Sequence, residues 1–277
     1  MAIKHWLITG DTHGLVVPRL ENLGKTDYPP EETAIIILGD AGLNFYLNKT
    51  DVKNKKNINA LGYRIYCLRG NHEQRPEKVA GIHPYMDEDV NGLVLKEIEY
   101  DNIRYLMDGG KYNIGGLRTI CIGGAYSVDK WYRLNRAGVR NKFDSDYFNP
   151  KKTGWFPDEQ LTEEEMSQIE NSIRGKIFDL VLTHTCPISW EPTDLFISGL
   201  DQSTVDKSME SWFNDLKDQF KWKIWLFAHY HDDRLVRPGV EMYYHDIEDL
   251  DKIWVRWQKP DELDWWLQKD PNYYMGV

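Results

Sequence analysis

Five short segments of this 277-residue chain carry side chains of metal-binding type: Asp11-Thr12-His13, Gly39-Asp40, Gly70-Asn71-His72-Glu73, Thr183-His184 and His229-Tyr230-His231. Singly each is weak, because D-x-H and G-D are common in turns and a lone strand-end histidine is usually a hydrogen-bonded core residue. Together they hold five of the eight histidines, with Asp11, Asp40 and Asn71 beside them. His5, His83 and His245 fall outside the pattern and are assigned structural roles. Two divalent ions about 3.5–4 Å apart can clamp the attacking and leaving oxygens of a phosphoryl centre. Their mutual repulsion requires a shared anion, so one carboxylate must serve both. Neutral imidazoles and an amide oxygen then complete the coordination, a donor set suited to Mn, Fe, Co, Ni or Zn and poor for Mg or Ca. Asp11 and His13, like His229 and His231, are spaced i, i+2, which on an extended strand end turns both side chains to one side.

Each segment follows a short apolar run. Residues 3–8, 34–38, 65–68, 180–182 and 224–227 read as strands buried on both faces, bounded by glycine and polar residues. Polar stretches with helical potential separate the first three, notably 51–61, so this half reads βαβαβ with a largely parallel sheet. Ligand sites collect beyond the carboxyl ends of such strands, which lets all five segments meet on one rim. From residue 92 to 124 the pattern alternates, and Leu93-Val94-Leu95-Lys96 with a return through 103–106 predicts a hairpin; 239–247 reads as another antiparallel strand. Thr162-Glu163-Glu164-Glu165 is a capping box opening a helix with Met166, Ile169 and Ile173 on its apolar face.

The ordered set Asp11-x-His13, Gly39-Asp40, Gly70-Asn71-His72-Glu73, Thr183-His184 and His229-x-His231 resembles the calcineurin-like metallophosphoesterase superfamily over residues 11–231. The resemblance implies that Asp11, His13 and His231 bind one metal ion, that Asn71, His184 and His229 bind the other, and that Asp40 bridges them. It implies His72 as the residue that contacts the phosphate and protonates the leaving group, so that His72 and Asp40 are the catalytic assignments. The implied fold is α/β, a four-layer αββα double β-sandwich with mixed sheets and flanking helices. The cofactors are two divalent transition-metal ions, manganese first, then Fe, Zn, Ni or Co. Ala228 stands where the last motif usually has glycine, which is tolerable if that backbone does not need positive φ. The segment Gly39-Asp40-Ala41-Gly42-Leu43-Asn44 lacks the G-D-x-V-D-R-G pattern of the Ser/Thr protein phosphatases. In style, including Gly123-Gly124-Ala125-Tyr126-Ser127, the sequence is similar to uncharacterised metallophosphoesterases of bacteria and their phages.

Lys plus Arg number 34 against 44 Asp plus Glu, a net charge of −10, so the bulk field repels duplex DNA and anionic membranes. Two ions bring +4 against −3 from Asp11, Asp40 and a bridging hydroxide, leaving about +1 to meet a phosphate. Between residues 126 and 142, Lys130, Arg133, Arg136, Arg140 and Lys142 interleave with Trp131 and Tyr132, inside an insertion of about 125–175. Such a loop grips a nucleotide or single strand, or else is a solvated helix face. Arg69, Arg133 and Arg136 are the expected substrate contacts. Three cysteines without C-x-x-C spacing, no signal-peptide pattern and no apolar run of membrane-spanning length point to the cytoplasm and no membrane partner. The expected organisation is a catalytic domain over 1–247 and a Trp/Tyr-rich extension over 248–277, with Trp254, Trp257, Trp265 and Trp266 docking on the sandwich. The predicted reaction is hydrolysis of a phosphodiester or nucleotide by a metal-bridging hydroxide attacking in line. A phosphomonoesterase is the alternative, and a non-catalytic scaffold is disfavoured because every ligand position is filled.

Overall fold

The apolar runs become strands because nothing polar interrupts them. A computed structural model describes residues 2–196 and 202–258. It begins with β1 (His5–Thr9), α1 (Val16–Leu20), β2 (Thr33–Ile37), α2 (Lys49–Asn59) and β3 (Arg64–Cys67). All of β2 is buried, as are β1 and β3 beyond their first residues. These three pair in parallel, as the βαβαβ reading requires. An antiparallel meander follows, β4 (Ile82–Asp87), β5 (Gly92–Glu97) and β6 (Ile103–Leu106), with β6 returning parallel to β3. The hairpin of β7 (Gly110–Ile114) and β8 (Leu117–Ile122) opens a second sheet. After it come α3 (Lys130–Arg136), α4 (Pro150–Thr153) and α5 (Glu163–Ile173), then β9 (Leu180–Thr183), α6 (Ser208–Leu216) and β10 (Ile224–Phe227). The described chain closes with β11 (Arg234–Arg237), β12 (Val240–Met242), β13 (Ile247–Asp249) and α7 (Leu250–Gln258).

The strand orders are β13-β1-β2-β3-β6-β5-β4 and β11-β12-β10-β9-β8-β7. Ile8, Ile36, Tyr66 and Leu68 of the first sheet pack on Cys121, Leu182 and Leu226 of the second. The outer face of the first sheet carries Val16, Leu20 and Ile58 from α1 and α2. That of the second carries Met166, Ile169 and Ile173 from α5 with Met209 and Phe213 from α6. The four layers are helix, sheet, sheet, helix. Thr162 caps α5 by accepting from the Glu165 N–H, and the Glu165 carboxylate returns the bond to the Thr162 N–H. Among the described residues no helix is long and apolar enough to cross a membrane.

One expectation fails near the C-terminus. Residues 239–247 are not one strand: β12 lies parallel to β10 in the second sheet and β13 antiparallel to β1 in the first. The Asp233 carboxylate accepts the N–H groups of Tyr244, His245 and Asp246 at 2.7, 2.9 and 3.1 Å, which bends the chain from one sheet to the other. After the bend come β13 and α7, and Leu250 and Ile253 of α7 join the inter-sheet core. Trp254 and Trp257 pack on the inter-sheet core, whereas Trp265, Trp266, Tyr273 and Tyr274 lie outside the described residues.

Arg256 fastens the two sheets at this crossing. Its guanidinium binds Glu241 of β12 at 2.7 and 2.8 Å and also Glu248 of β13. Arg256→Ala leaves the Glu241 carboxylate, 5% exposed, without its cation. The expected loss is about 1–3 kcal/mol, read as a lower urea midpoint at unchanged m-value.

Candidate metal centre

The five motif segments meet at one end of the sandwich. Asp11, Asp40 and Asn71 follow β1, β2 and β3 of the first sheet; His184 follows β9, and His229 and His231 follow β10, of the second. The loops are zipped together by backbone: the N–H groups of Thr12 and His13 reach the Asp40 carbonyl at 3.2 and 2.8 Å, and the Ala228 N–H reaches the His184 carbonyl at 3.0 Å. Asp11 Oδ1 accepts the His229 N–H at 3.1 Å, tying the first sheet to the second.

The i, i+2 spacing does not act as extended geometry. His13, Asp40, His229 and His231 have φ of 46°, 46°, 73° and 57°. They account for four of the six non-glycine residues at positive φ among those described. Left-handed turns beyond the strand ends, rather than strand alternation, bring the pairs together. Each such residue costs about 1–3 kcal/mol, a kind of strain that clusters at functional sites. Ala228 is not among them, so the missing motif glycine is tolerated. Gly39 and Gly70 are required: a Cβ would sit 2.1 Å from His184 Nδ1 in the first case and 2.0 Å from Asp40 Oδ1 in the second.

His231 Nε2 lies 3.1 Å from Asp11 Oδ2 and 3.0 Å from His13 Nε2. Asp11, Asp40 and His184 form a second convergent group, with His184 Nε2 at 3.7 Å from Asp40 Oδ2. The His229 ring is 5.0 Å from that of His184. His184 Nδ1 is 2.8 Å from the Leu38 carbonyl, which can only accept, so in the neutral ring the proton sits on Nδ1 and Nε2 offers a lone pair. That lone pair faces Asn71 Oδ1 at 2.8 Å, while Asn71 Nδ2 donates to Ser127 Oγ at 2.8 Å. In that neutral form the two acceptors repel unless a cation lies against both, whether a metal ion or the ring's own second proton. Asp40 Oδ1 accepts the His72 N–H at 2.7 Å, but Asp40 Oδ2 is buried with no hydrogen-bond partner among the described residues. The donors therefore fit divalent metal ions.

Burial pushes Asp11 and Asp40 towards protonation, but His184 and His231 around Asp11, and His72 and His184 around Asp40, hold both carboxyls below the ordinary range. Burial, then His184, drives His229 down to about 3, so it is neutral. The ionised carboxylates and the neutral His229 are forms a divalent ion takes without displacing protons, whereas His231, its pKa raised by the hydrogen bond to Asp11, gives up a proton to bind one. His72 is half-buried beside the deeper Asn71, its ring 5.9 Å from that of His13 and its Nδ1 buried with no hydrogen-bond partner among the described residues.

The three arginines expected at the substrate diverge. Arg69 is withdrawn: it is 3% exposed and its guanidinium is taken by Asp108 at 2.8 Å and the carbonyls of Glu159 and Gly123 at 2.6 and 3.1 Å. Following β3 in sequence, it turns into the protein rather than to the rim. Arg133 pairs with Asp129, reaches the Gly154 carbonyl, lies over Phe45 and lowers the His72 pKa. Arg136 is exposed, with no ion pair or hydrogen bond among the described residues. The acidic face of α5 is met by Arg75, not by the insertion: Arg75 binds Glu165 at 2.6 and 3.1 Å.

Sequence reasoning missed Tyr244, Arg19, Ser127 and Glu159. Tyr244 stacks on His231 with centroids 4.6 Å apart. Arg19 donates to the Asp11 carbonyl at 3.0 Å and to His245 Nδ1 at 3.2 Å, so His245 belongs to the support of the site. Ser127 was detectable as the stop of a sixth apolar run, Thr119-Ile120-Cys121-Ile122, at Gly123-Gly124. Glu159 has no sequence signal.

The sequence matches the family model of the calcineurin-like phosphoesterases over residues 5–233. No curated protein matches it. Among solved structures, one is 13% identical with a TM-score of 0.48, covering 90% of this chain and 95% of its own. Another, the phosphopantetheinyl hydrolase PptH of Mycobacterium tuberculosis, is 12% identical with a TM-score of 0.37, covering 92% and 93%.

Proposed function

The chain belongs to the calcineurin-like phosphoesterase family and is a metal-dependent phosphoric ester hydrolase; on that premise we propose that it uses two transition-metal ions, manganese first, to hydrolyse a nucleotidic phosphodiester. In this reading Asp11, His13 and His231 hold one ion, Asn71, His184 and His229 hold the other, and Asp40 is shared. The observation that carries it is the convergence of buried ligand-type atoms: His184 Nε2 against Asn71 Oδ1 at 2.8 Å, and Asp40 Oδ2, which has no hydrogen-bond partner among the described residues. When bound, the ions supply a nucleophile at neutral pH and charge compensation for the phosphoryl oxygens.

The protein's own residues do the rest. Asp40 presents one oxygen to the His72 backbone and leaves the other free, which fixes its orientation between the two groups. His72 stands at the rim to hold the phosphate and give a proton to the departing oxygen. Arg133, over Phe45 and close enough to act on His72, contributes positive charge on the same side. Trp131 and Tyr132, 49% and 63% exposed, offer rings for stacking a base.

A hydrolysis screen of mono- and diesters across divalent metals tests the reaction, and a higher kcat/KM for small-group monoesters than for every diester would replace the diester reading with a phosphatase. Arg133→Ala combined with Arg136→Ala tests the nucleotidic part. It is expected to raise KM for a dinucleotide several-fold while sparing a small chromogenic ester, because remote contacts supply binding energy. Equal kinetics on both substrates would return α3 to a solvated face.

A further inference from the structure

A metal-ligating asparagine has a weakness that histidine lacks: its amide can turn and present NH2 instead of oxygen. In this structure the side chain is held on both sides. Asn71 is 1% exposed, and its Nδ2 donates at 2.8 Å to Ser127 Oγ, on a residue also 1% exposed. Ser127 in turn donates through Oγ–H to Glu159 Oε2 at 2.5 Å, and through its backbone N–H to Glu159 Oε1 at 3.1 Å. Glu159 is 3% exposed, and its own carbonyl accepts from Arg69 at 2.6 Å.

The direction of these bonds is dictated by the acceptor at the far end. Burial raises the Glu159 pKa to about 7, so above neutrality it is a carboxylate, and with both oxygens engaged by Ser127 it takes the hydroxyl proton. The hydroxyl oxygen then has only lone pairs left for Asn71, so it must receive a hydrogen. The Asn71 amide must accordingly turn NH2 to Ser127 and oxygen to His184 Nε2, where it stands at 2.8 Å. We propose that Ser127 and Glu159 are positioning residues that set the Asn71 amide with its oxygen toward the ion shared with His184 and His229. The inference rests on the two-ion reading and adds to it a cause for the second site. Ser127 and Glu159 lie at the two ends of the segment between β8 and α5 that carries α3 and α4. Docking of that segment therefore completes the ion site as well as the substrate rim.

The test is a calorimetric titration of the full-length apo-protein with Mn²⁺ in mildly alkaline buffer, comparing wild type with Ser127→Ala, Ser127→Thr and Glu159→Gln. Wild type is expected to show two binding steps. Ser127→Ala is expected to weaken one step by about 10–100-fold, the range for partners that orient ligands, and to leave the other close to wild type. Ser127→Thr keeps the hydroxyl and restores the step. Glu159→Gln offers one acceptor for two donors and gives an intermediate loss. Melting temperatures of the apo-proteins accompany the titrations: loss of both steps together with a lowered melting temperature in every variant would mean general damage and overturn the assignment. So would two wild-type steps in Ser127→Ala. Fewer than two steps in the wild type itself would overturn the two-ion reading, and this inference with it.

Discussion

Asp40→Asn is expected to lower ion content at both sites together and to reduce kcat/KM by about 10²–10⁴-fold, the equivalent of several kcal/mol of charge stabilisation. The reason is positional. Asp40 has one oxygen committed to the His72 N–H and the other buried with no hydrogen-bond partner among the described residues, and it faces His184 across 3.7 Å. The amide replaces a negative charge with a dipole and sets an NH2 group where two cations must be compensated. Burial and Asp11 disfavour the Asp40 carboxylate, but His72 and His184 outweigh them and hold its pKa below the ordinary range, so the charge stabilises the apo-fold at neutral pH. The apo form of Asp40→Asn should therefore melt somewhat lower than wild type, while Mn²⁺ raises the melting temperature of wild type only, since binding to the folded state stabilises by mass action. Elemental analysis and thermal melts check both halves. A variant that retained two ions per chain at wild-type affinity would sink the shared-carboxylate assignment.

For His72→Ala the expected loss depends on the substrate. General acid catalysis contributes about 10²–10⁴-fold where the leaving group needs a proton. A nitrophenolate leaves without one, whereas a ribose or alkyl alkoxide does not. The variant should keep both ions, lose little on an activated aryl ester and lose most of that factor on an alkyl ester. Burial lowers the His72 pKa, with Asp40 opposing and Arg133 adding to it. The donating, protonated form is present below that lowered pKa and is lost as pH rises through it. The wild-type rate on alkyl esters should thus decline toward alkaline pH from a point below an ordinary histidine, and the variant should lack that decline. Plots of log kcat/KM against leaving-group pKa at full metal occupancy decide the matter: parallel lines for wild type and variant would confine His72 to holding the phosphate.

The parts of this molecule written as runs were legible in the sequence. Five apolar stretches ended where the candidate ligands begin, and the capping box at Thr162 marked α5, because both depend on neighbours close in the chain. Legibility ended where a distant residue decides. The bend at 244–246 is imposed by Asp233 from beyond the other end of β11 and β12, so 239–247 read as one strand when it is two, in different sheets. Arg69 looked like a rim residue by its place after β3, but Asp108 and two carbonyls draw it inward. The pairs at i, i+2 were right in membership and wrong in geometry, since positive φ at His13, His229 and His231 cannot be read from residue types that ordinarily avoid it. Glu159 is unremarkable in sequence and acquires its significance only from the burial of Ser127 beside Asn71.

Neither proposed ion has all its ligands on one sheet. Asp11, His13, Asp40 and Asn71 come from the loops of the first, and His184, His229 and His231 from those of the second. A polypeptide whose two sheets have each formed but have not yet docked owns only fragments of either site. It is chemically silent, and hydrolysis begins only when the sandwich closes. Ions held as proposed would work as cross-links between segments far apart in the chain, and sliding the sheets apart would have to break coordination first. The holo-protein should for that reason resist proteolysis far longer than the apo-protein, and chelation should act on this enzyme as reduction acts on a disulfide-bonded one.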